Sequence, residues 1–223
     1  MKTLFTLCIT IFLIGCAPDN SENNNQLPQP GSTNAISTSD ASGNSSESIT
    51  GKMADADIIP LNLGNLWTYQ MFQIDTTNGK MNPTQKITYA IHRDTVMDNE
   101  VWYLIEGMGP NGTWGINRDD GFWIIGPTGQ PILLAKFPGQ IGDEYSKITG
   151  AAIIINRIES TGESVTVPSG SYFCYKYAQE FGGKSRTSYA YYSPGVGMVR
   201  LEVMNESLSK AVMIGELIDI SVK

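Results

Sequence analysis

Apolar and polar residues alternate along most of the chain after Ile58, and this alternation predicts β-strands. In the segment 66–74, for example, Trp67, Tyr69 and Met71 fall on one face. A period of two in runs rich in Val, Ile, Tyr, Trp and Thr is typical of strands, whereas no long run of helical period follows Ile58. The pattern predicts about a dozen short strands, over residues 66–74, 86–96, 100–106, 113–117, 122–125, 132–136, 145–148, 151–158, 163–167, 171–179, 186–192, 197–204 and 210–221.

Residues that favour turns separate these strands. Asp98-Asn99 joins the second strand to the third, and Asn111-Gly112 precedes the fourth. Gly121 is suited to a position of positive φ, because it has no Cβ to clash with the backbone. Many short strands with turn residues between them predict an all-β, single antiparallel domain. The pattern leaves open whether it is a strongly curved sheet, a sandwich or a partly open barrel.

The beginning of the chain has a different pattern. Lys2 precedes an apolar stretch that ends in Leu13-Ile14-Gly15-Cys16. A positive start, a short apolar segment and a small residue before the cleavage point indicate a signal peptide. The stretch is too short for a membrane span, which needs ~20 residues. The four-residue run resembles the lipobox of bacterial lipoprotein precursors, and this resemblance implies that Cys16 is lipidated and anchors the protein to a membrane.

These boundaries divide the chain into three parts. Residues 1–15 form the lipoprotein signal peptide, residues 16–57 the lipidated Cys16 with a disordered tether, and residues 58–223 the β-rich domain. The tether is rich in Asn and Ser and has almost no large apolar side chains, so it cannot bury enough surface to fold. Ala17 follows Cys16 in place of the Asp that commonly retains such proteins in the inner membrane. We therefore expect a location in the cell envelope, at the outer membrane.

Charge and cysteine content narrow the possible functions. The formal net charge is −7, and residues 58–223 contain 13 basic and 16 acidic residues without a basic stripe. Nucleic acid is therefore not expected as a partner. Cys8 lies in the signal peptide and Cys16 would carry lipid, so Cys174 has no cysteine with which to form an internal disulfide. Cys174 lies among aromatic residues, and we expect a buried thiol there.

Four segments of the chain together resemble a group of uncharacterised bacterial lipoproteins. They are Pro60-Leu61-Asn62-Leu63-Gly64-Asn65-Leu66-Trp67-Thr68-Tyr69, Lys136-Phe137-Pro138 with Gly142-Asp143, Val167-Pro168-Ser169-Gly170-Ser171-Tyr172, and Tyr191-Tyr192-Ser193-Pro194-Gly195-Val196-Gly197-Met198-Val199. The group has the signatures PLxxGNxWxY, VPxGxF and YYxPGVGxV, and here Tyr172 replaces the usual Phe. The resemblance implies a β-rich exported protein and no established activity. Its marked residues form turns and fill cores.

Few residues are candidates for catalysis or metal binding. His92 is the single histidine, and the alternation places it with Thr88 and Asp94 on a face opposite Ile91. An exposed position is the simpler interpretation, and the chain has no G-x-S-x-G segment for an esterase. Asp119-Asp120 could bind calcium, but a hairpin turn is the better interpretation. We therefore predict no catalytic residue, no metal site and no cofactor.

Five aromatic residues are candidates for ligand binding through stacking: Trp102, Trp114, Trp123, Tyr191 and Tyr192. In an all-β domain such residues more often fill the core or pair across strands.

Three functional hypotheses follow. In the first, a non-enzymatic envelope lipoprotein binds an unidentified small molecule, glycan or protein through an open sheet face or barrel mouth, which predicts an exposed apolar concavity. In the second, a hydrolase of envelope polymers has paired, partly buried carboxylates or His92 beside a hydroxyl. In the third, the chain is a structural subunit of an assembly.

Overall fold

The predicted alternation becomes twelve β-strands. The computed structural model describes residues 57–149, 152–181, 186–205 and 210–223. The strands are β1 (Leu66–Ile74), β2 (Met81–Met97), β3 (Glu100–Glu106), β4 (Thr113–Arg118), β5 (Gly121–Ile125), β6 (Pro131–Lys136), β7 (Glu144–Thr149), β8 (Ala152–Val167), β9 (Gly170–Phe181), β10 (Arg186–Ser193), β11 (Gly197–Asn205) and β12 (Lys210–Ser221). The prediction of an all-β antiparallel domain is confirmed. The signal peptide, Cys16 and the tether lie outside the described residues.

All twelve strands belong to one antiparallel sheet, which is nearly closed into a barrel. Each strand pairs with its neighbours in sequence, except that β6 does not pair with β7. The last strand, β12, pairs with β1, whereas β6 and β7 form the two edges. Of the three architectures that the sequence left open, the partly open barrel is therefore the observed one.

Register shifts in most of the ladders help the sheet to coil, because an extra residue in one strand bends and twists it locally. One shift lies at His92, where Ile91 is opposite Ile105 but Arg93 is opposite Leu104. Because of this extra residue, the side chains that follow it lie on the face opposite to the one that strict alternation predicts. Asp94 therefore lies on the same face as Ile91. The expectation that His92 and Asp94 share the face opposite Ile91 is therefore wrong.

Most strand boundaries agree with the prediction to within two residues, and two strands differ by more. The predicted strands 151–158 and 163–167 form one strand, β8, because two register shifts around Ser160 accommodate the polar segment between them. Strand β2 begins at Met81, five residues before its predicted start, and includes Pro83. The first half of β2 pairs with β1 alone, since β3 pairs only from Ala90 onward. A strand with one partner tolerates a proline, which has no N–H, more easily than a strand paired on both sides.

The turn predictions agree with the backbone. Asp98 and Asn99 have positive φ angles of 51° and 64° between β2 and β3, as expected of a two-residue hairpin turn. Gly121 has a φ of 138° at the start of β5, and a Cβ built there would lie 2.1 Å from the carbonyl oxygen of Ala135. Only glycine fits this position, because both the φ angle and the close backbone exclude a side chain.

The segment before β1 packs into the barrel. Ile58, Ile59 and Leu61 are buried. The Asn117 side chain on β4 donates a hydrogen bond to the carbonyl of Ile59 (2.7 Å), and the N–H of Gly195, between β10 and β11, donates to the carbonyl of Asp57 (2.7 Å). Since β4 and β10 are far apart in the sheet, the segment joins opposite walls of the barrel.

Two of the aromatic segments singled out in the sequence are in contact. Trp67 Nε1 donates a hydrogen bond to the carbonyl of Val196 (2.6 Å), and the Tyr69 hydroxyl donates to the carbonyl of Met198 (2.9 Å). The tip of the β8–β9 hairpin is held in a similar way, because Ser169 Oγ donates to the carbonyl of Leu217 (2.9 Å). These bonds give the three backbone carbonyls side-chain donors and tie together segments that are far apart in the sequence.

Side chains hold the two edge strands together. The Tyr145 hydroxyl on β7 donates to the carbonyl of Leu134 on β6 (2.9 Å), and the Tyr177 hydroxyl on β9 donates to the carbonyl of Lys136 (2.8 Å). An ion pair joins Lys136 to Asp143 (2.9 Å), and its hydrogen bond lowers the pKa of the Asp143 carboxyl. We call this junction between β6 and β7 the seam.

Candidate functional site

A row of polar side chains lies inside the barrel. Asn156 on β8, Gln179 on β9 and Ser188 on β10 are all buried. They are opposite one another in successive ladders, so they point to the same face. Gln179 Nε2 donates to Asn156 Oδ1 (3.0 Å), and Ser188 Oγ donates to Gln179 Oε1 (2.8 Å). We call Asn156, Gln179 and Ser188 the polar row.

Lys147 on the edge strand β7 lies beside the polar row. Its side chain is on the inner face, because Lys147 is opposite Ile154 and the neighbouring Tyr145 is opposite Asn156. Only 2% of Lys147 is exposed, and its Nζ has no hydrogen-bond partner among the residues that the structure describes. Burial lowers the pKa of this ammonium group to about 8, because the charged form loses its hydration.

Asn156 is also incompletely satisfied. Its Oδ1 accepts the bond from Gln179, but its Nδ2 is buried and finds no partner within the described ranges. An unpaired buried donor is costly, about 1–3 kcal/mol for a neutral group and more for a charged one. The inner face of β7 and β8 therefore presents two donors, Lys147 Nζ and Asn156 Nδ2, that the described protein leaves without acceptors.

The polar row continues across the sheet into an apolar recess. Ser188 is opposite Val203, and Val203 is opposite Met213, which lines the recess. The recess has a volume of about 20 Å³, room for about one water molecule. This recess is far smaller than the concavity expected of a preformed ligand site. It is lined by Tyr69, Met71, Ile87, Tyr89, Met198, Leu201, Met213 and Gly215.

The three candidate tryptophans lie on the outer face of β3, β4 and β5. Trp102 is buried, whereas Trp114 and Trp123 are half-buried. The guanidinium of Arg118 lies 5.4 Å from the ring centre of Trp102 and 5.0 Å from that of Trp123. Arg93 covers Trp114 at 5.6 Å. Since cations already lie over these rings, cation–π contacts within the protein use the surfaces that a stacked ligand would need.

The two candidate tyrosines are both buried and lie on opposite faces of β10. Tyr192 is inside the barrel, where its ring meets that of Tyr177 edge to face at 5.7 Å. Tyr191 is outside, with its hydroxyl 3.4 Å from Glu202 Oε2 and Lys176 Nζ 5.8 Å from its ring centre. The structure thus separates the five candidate aromatics into several places, and a binding role for any of them stays a prediction.

The candidate catalytic and metal-binding residues are on the surface. The His92 side chain is 60% exposed, and its Nε2 lies 3.9 Å from Glu106 Oε2. Asp119 and Asp120 form the turn between β4 and β5, as the hairpin interpretation predicts, and Asp120 Oδ1 accepts a hydrogen bond from Trp123 Nε1 (2.7 Å). Within the described ranges, no group of three or more His, Cys, Asp or Glu side chains could hold a metal ion.

A pair of partly buried carboxylates, as the hydrolase hypothesis requires, occurs on the outer face of β11 and β12. Arg200 lies between them, with its Nε 3.0 Å from Glu202 Oε1 and its Nη1 3.8 Å from Glu216 Oε1. The one arginine pairs with both acids, so the arrangement is that of an ion-pair network. Cys174 is buried, as expected, and burial raises the pKa of its thiol to about 12.

Sequence reasoning missed Lys147 and the polar row. A weak signal for both is present, because Asn156 lies between Ile154 and Ile158 on an apolar face and Lys147 shares the face of Tyr145. Alternation indicates the face of a side chain, but it does not show that the face is enclosed. None of the described residues belongs to a helix long and apolar enough to cross a bilayer.

The fold and its interior define a class: a twelve-stranded antiparallel sheet coiled into a nearly closed barrel, with an apolar core and polar groups buried at one wall. Residues 141–211 match the family model named DUF3108-like. This stretch includes Lys147 and the whole polar row. No curated protein matches the chain significantly.

Two solved structures are similar to the chain. One is a candidate exported protein with a YmcC-like fold from Bacteroides fragilis NCTC 9343, with a TM-score of 0.51 and 16% identity, covering 75% of this chain and 100% of that chain. The other is a candidate lipoprotein from Parabacteroides distasonis ATCC 8503, with a TM-score of 0.39 and 17% identity, covering 74% of this chain and 99% of that chain. The first shows that this fold occurs in a second protein.

Proposed function

We propose that the protein is a lipid-anchored protein of the bacterial cell envelope whose β-barrel domain binds a small ligand without catalysis. Cys16 carries the lipid, the segment 17–57 acts as a tether, and the ligand enters the barrel beside β7 and β8. The observation that carries the binding role is Lys147, a buried ammonium group for which the described part of the chain supplies no partner.

The anchor is supported by the sequence Leu13-Ile14-Gly15-Cys16 after a short apolar stretch. Acyl chains on a cysteine bind to a bilayer with about 0.8 kcal/mol for each buried CH₂ group, so several chains hold a protein there durably. Ala17 supports delivery to the outer membrane. The similar structure from Bacteroides fragilis, described as a candidate exported protein, is consistent with a location in the envelope.

The binding role is supported by the free-energy cost of burying polar groups inside the barrel. A protein whose barrel served only as a rigid body would gain from apolar side chains at these positions, because burying Lys147 without an acceptor lowers stability. Such a cost is typical of functional sites, where a ligand supplies the missing partner. The surface positions of His92 and of the Asp119-Asp120 turn give no such support to catalysis.

The anchor is tested with Cys16→Ser in the native host. We expect wild-type protein to partition into the detergent phase of a Triton X-114 extraction and the variant to remain in the aqueous phase. Cys174→Ser is the matched control, since that thiol lies in the domain core, and it should partition as wild type does. Equal partition of the Cys16→Ser variant and wild type would contradict the anchor.

The binding role is tested on full-length protein purified gently from envelopes. Native mass spectrometry should show an added small-molecule mass on wild type, and this mass should be absent from Lys147→Met. Lys176→Met, in which the outer-face lysine near Glu159 is changed, should retain it. A ligand-free mass for wild type, together with unchanged thermal stability after addition of envelope extract, would contradict a binding role.

A further inference from the structure

The two unpartnered donors inside the barrel are close to each other. Tyr145 is opposite Asn156 and Lys147 is opposite Ile154 in the β7–β8 ladder, so Lys147 and Asn156 are diagonal neighbours on one face. Diagonal neighbours in a sheet are about 7 Å apart, within reach of a long side chain. One bound group can therefore contact Lys147 Nζ and Asn156 Nδ2 together.

From this juxtaposition we infer that Lys147 and Asn156 form a binding site for one carboxylate group, and that the ligand of the proposed function is a carboxylic acid in its ionised form. The inference rests on the proposed binding role and names the chemical class of the ligand. Lys147 supplies a charge-assisted hydrogen bond to one carboxylate oxygen, and Asn156 donates to the other.

The charge of the site favours a carboxylate over other anions. Within the β7–β8 ladder, the residues that share the inner face with Lys147 and adjoin it are Tyr145, Ile154 and Asn156, none of which is ionised at neutral pH. The site therefore has one positive charge and two donors. A carboxylate has one negative charge and two oxygen acceptors, whereas a phosphate monoester is close to a dianion at pH 7 and would leave a buried negative charge uncompensated.

The polar row positions the second donor. Asn156 Oδ1 accepts from Gln179, and Gln179 in turn accepts from Ser188, so the amide of Asn156 is oriented with its Nδ2 free. This arrangement fixes which end of the amide faces the bound group, because the accepting end is already used. Replacing Asn156 should therefore affect ligand affinity even though the charge is unchanged.

The ligand is either a small carboxylate or the head of a longer amphiphile. Successive cross-strand partners connect the polar row through Val203 to Met213, which lines the apolar recess. Methionine side chains adapt easily to the shape of a bound ligand. Acetate and octanoate distinguish these two sources, since they share the carboxylate and differ in the chain.

The test uses the full chain with Cys16→Ser, which removes the lipid site and allows work without detergent. Isothermal titration calorimetry with sodium acetate and sodium octanoate should show saturable binding at one site. Lys147→Met should weaken binding by tenfold or more, and Asn156→Leu by about threefold to tenfold, in line with the loss of a charged and a neutral hydrogen bond. Lys176→Met should bind as the parent chain does.

A second readout identifies the ammonium group. Because a bound carboxylate favours the charged form of Lys147, binding at pH 8.5 should take up part of a proton, measured by repeating the titration in buffers of different ionisation enthalpy. Lys147→Met should show no uptake. Tighter binding of octanoate than of acetate would identify an amphiphile, and equal binding a small carboxylate.

Three results would overturn the inference: no binding of either carboxylate, equal binding by Lys147→Met, or binding of inorganic phosphate in their place. The proposed function would survive each of them if purified wild type still carried an added mass that was lost with Lys147→Met. If wild type carried no added mass and neither acetate nor octanoate bound to it, both the inference and the proposed binding function would be wrong.

Discussion

At the scale of single residues, the barrel combines well-satisfied polar groups with a few that are not. Asn65 is wholly buried, and its side chain both donates to the carbonyl of Pro60 (2.8 Å) and accepts from the N–H of Lys223 (3.0 Å). Lys147 is equally inaccessible and has no such partners. The contrast indicates that a buried polar group can be fully satisfied in this protein, and that Lys147, a buried cation, is the costliest of the few described groups that are not.

Lys147 should make the stability of the ligand-free protein depend on pH. Its pKa is lowered from 10.5 to about 8 in the folded state. Between these values the unfolded chain holds a proton that the folded one has released, so stability rises with pH. Below about pH 8 both states are charged, and the full cost of burial applies.

Urea unfolding of wild type and Lys147→Met from pH 7 to 10 measures this effect. The free energy of unfolding of wild type should approach that of the variant by about 1 kcal/mol for each pH unit above 8. Lys147→Met should be the more stable protein at pH 7. Taking the difference removes contributions common to both proteins, such as that of the Cys174 thiol, whose pKa is raised to about 12. Curves that stay parallel would contradict the prediction.

At the scale of elements, turns and register shifts shape the sheet. Gly121 begins β5 with a φ of 138° and lies against the backbone of β6, so the β4–β5 turn and the β5–β6 ladder depend on the same glycine. Gly129, in the turn between β5 and β6, has a φ of 78° and open space around it. Substitutions at these two positions therefore distinguish the effect of backbone strain at a positive φ from the effect of a steric clash.

Gly121→Ala should therefore be much more harmful than Gly129→Ala. At Gly129 the methyl group adds only the strain of a positive φ, a loss of about 1 kcal/mol in the free energy of unfolding. At Gly121 the Cβ would lie 2.1 Å from the Ala135 oxygen, so the strands must move apart, and a loss of about 3 kcal/mol is expected. Equilibrium unfolding in urea gives both values, and equal losses would rule out the steric explanation.

At the scale of the whole molecule, the barrel is closed by two different kinds of contact. Strand β12 pairs with β1 through a regular backbone ladder, whereas β6 and β7 meet at the seam through side chains. Unpaired edges of a sheet attract other chains, so a covered edge protects a protein from aggregation. The seam also lies next to Lys147 on β7, and it therefore bears on access to the candidate site.

Removing one seam hydrogen bond should loosen the edge strands. Tyr177→Phe leaves the Lys136 carbonyl without its donor, and we expect a loss of about 1–2 kcal/mol in stability. Amide hydrogen exchange in β6 and β7 should accelerate more than in β1 and β12. Tyr175→Phe is the matched control, because its ring packs 6.3 Å from that of Tyr177 and none of the described residues hydrogen-bonds to its hydroxyl. Identical behaviour of the two variants would show that the seam does not depend on this bond.

Local chemistry made much of the fold predictable from the sequence. Side chains alternate across a strand with a period of two, so most strands and the antiparallel all-β class follow from the pattern, as do the turns at Asp98-Asn99 and Gly121. The signal peptide and the lipidation of Cys16 stay predictions, and they too are drawn from a short linear motif alone. These features depend on neighbours in the chain and need no knowledge of distant contacts.

Only the tertiary structure decided which face of the strands became the interior of the barrel and which side chains meet there. A register shift adds one residue without a clear sequence signal, and the shift at His92 turned Asp94 to the inner face. Pairing of β1 with β12 joins segments at opposite ends of the domain, and this closure makes one face an interior. The position of Lys147 on that face was readable from the sequence, but its burial, its missing partner and its proximity to Asn156 arise only when the barrel closes around them.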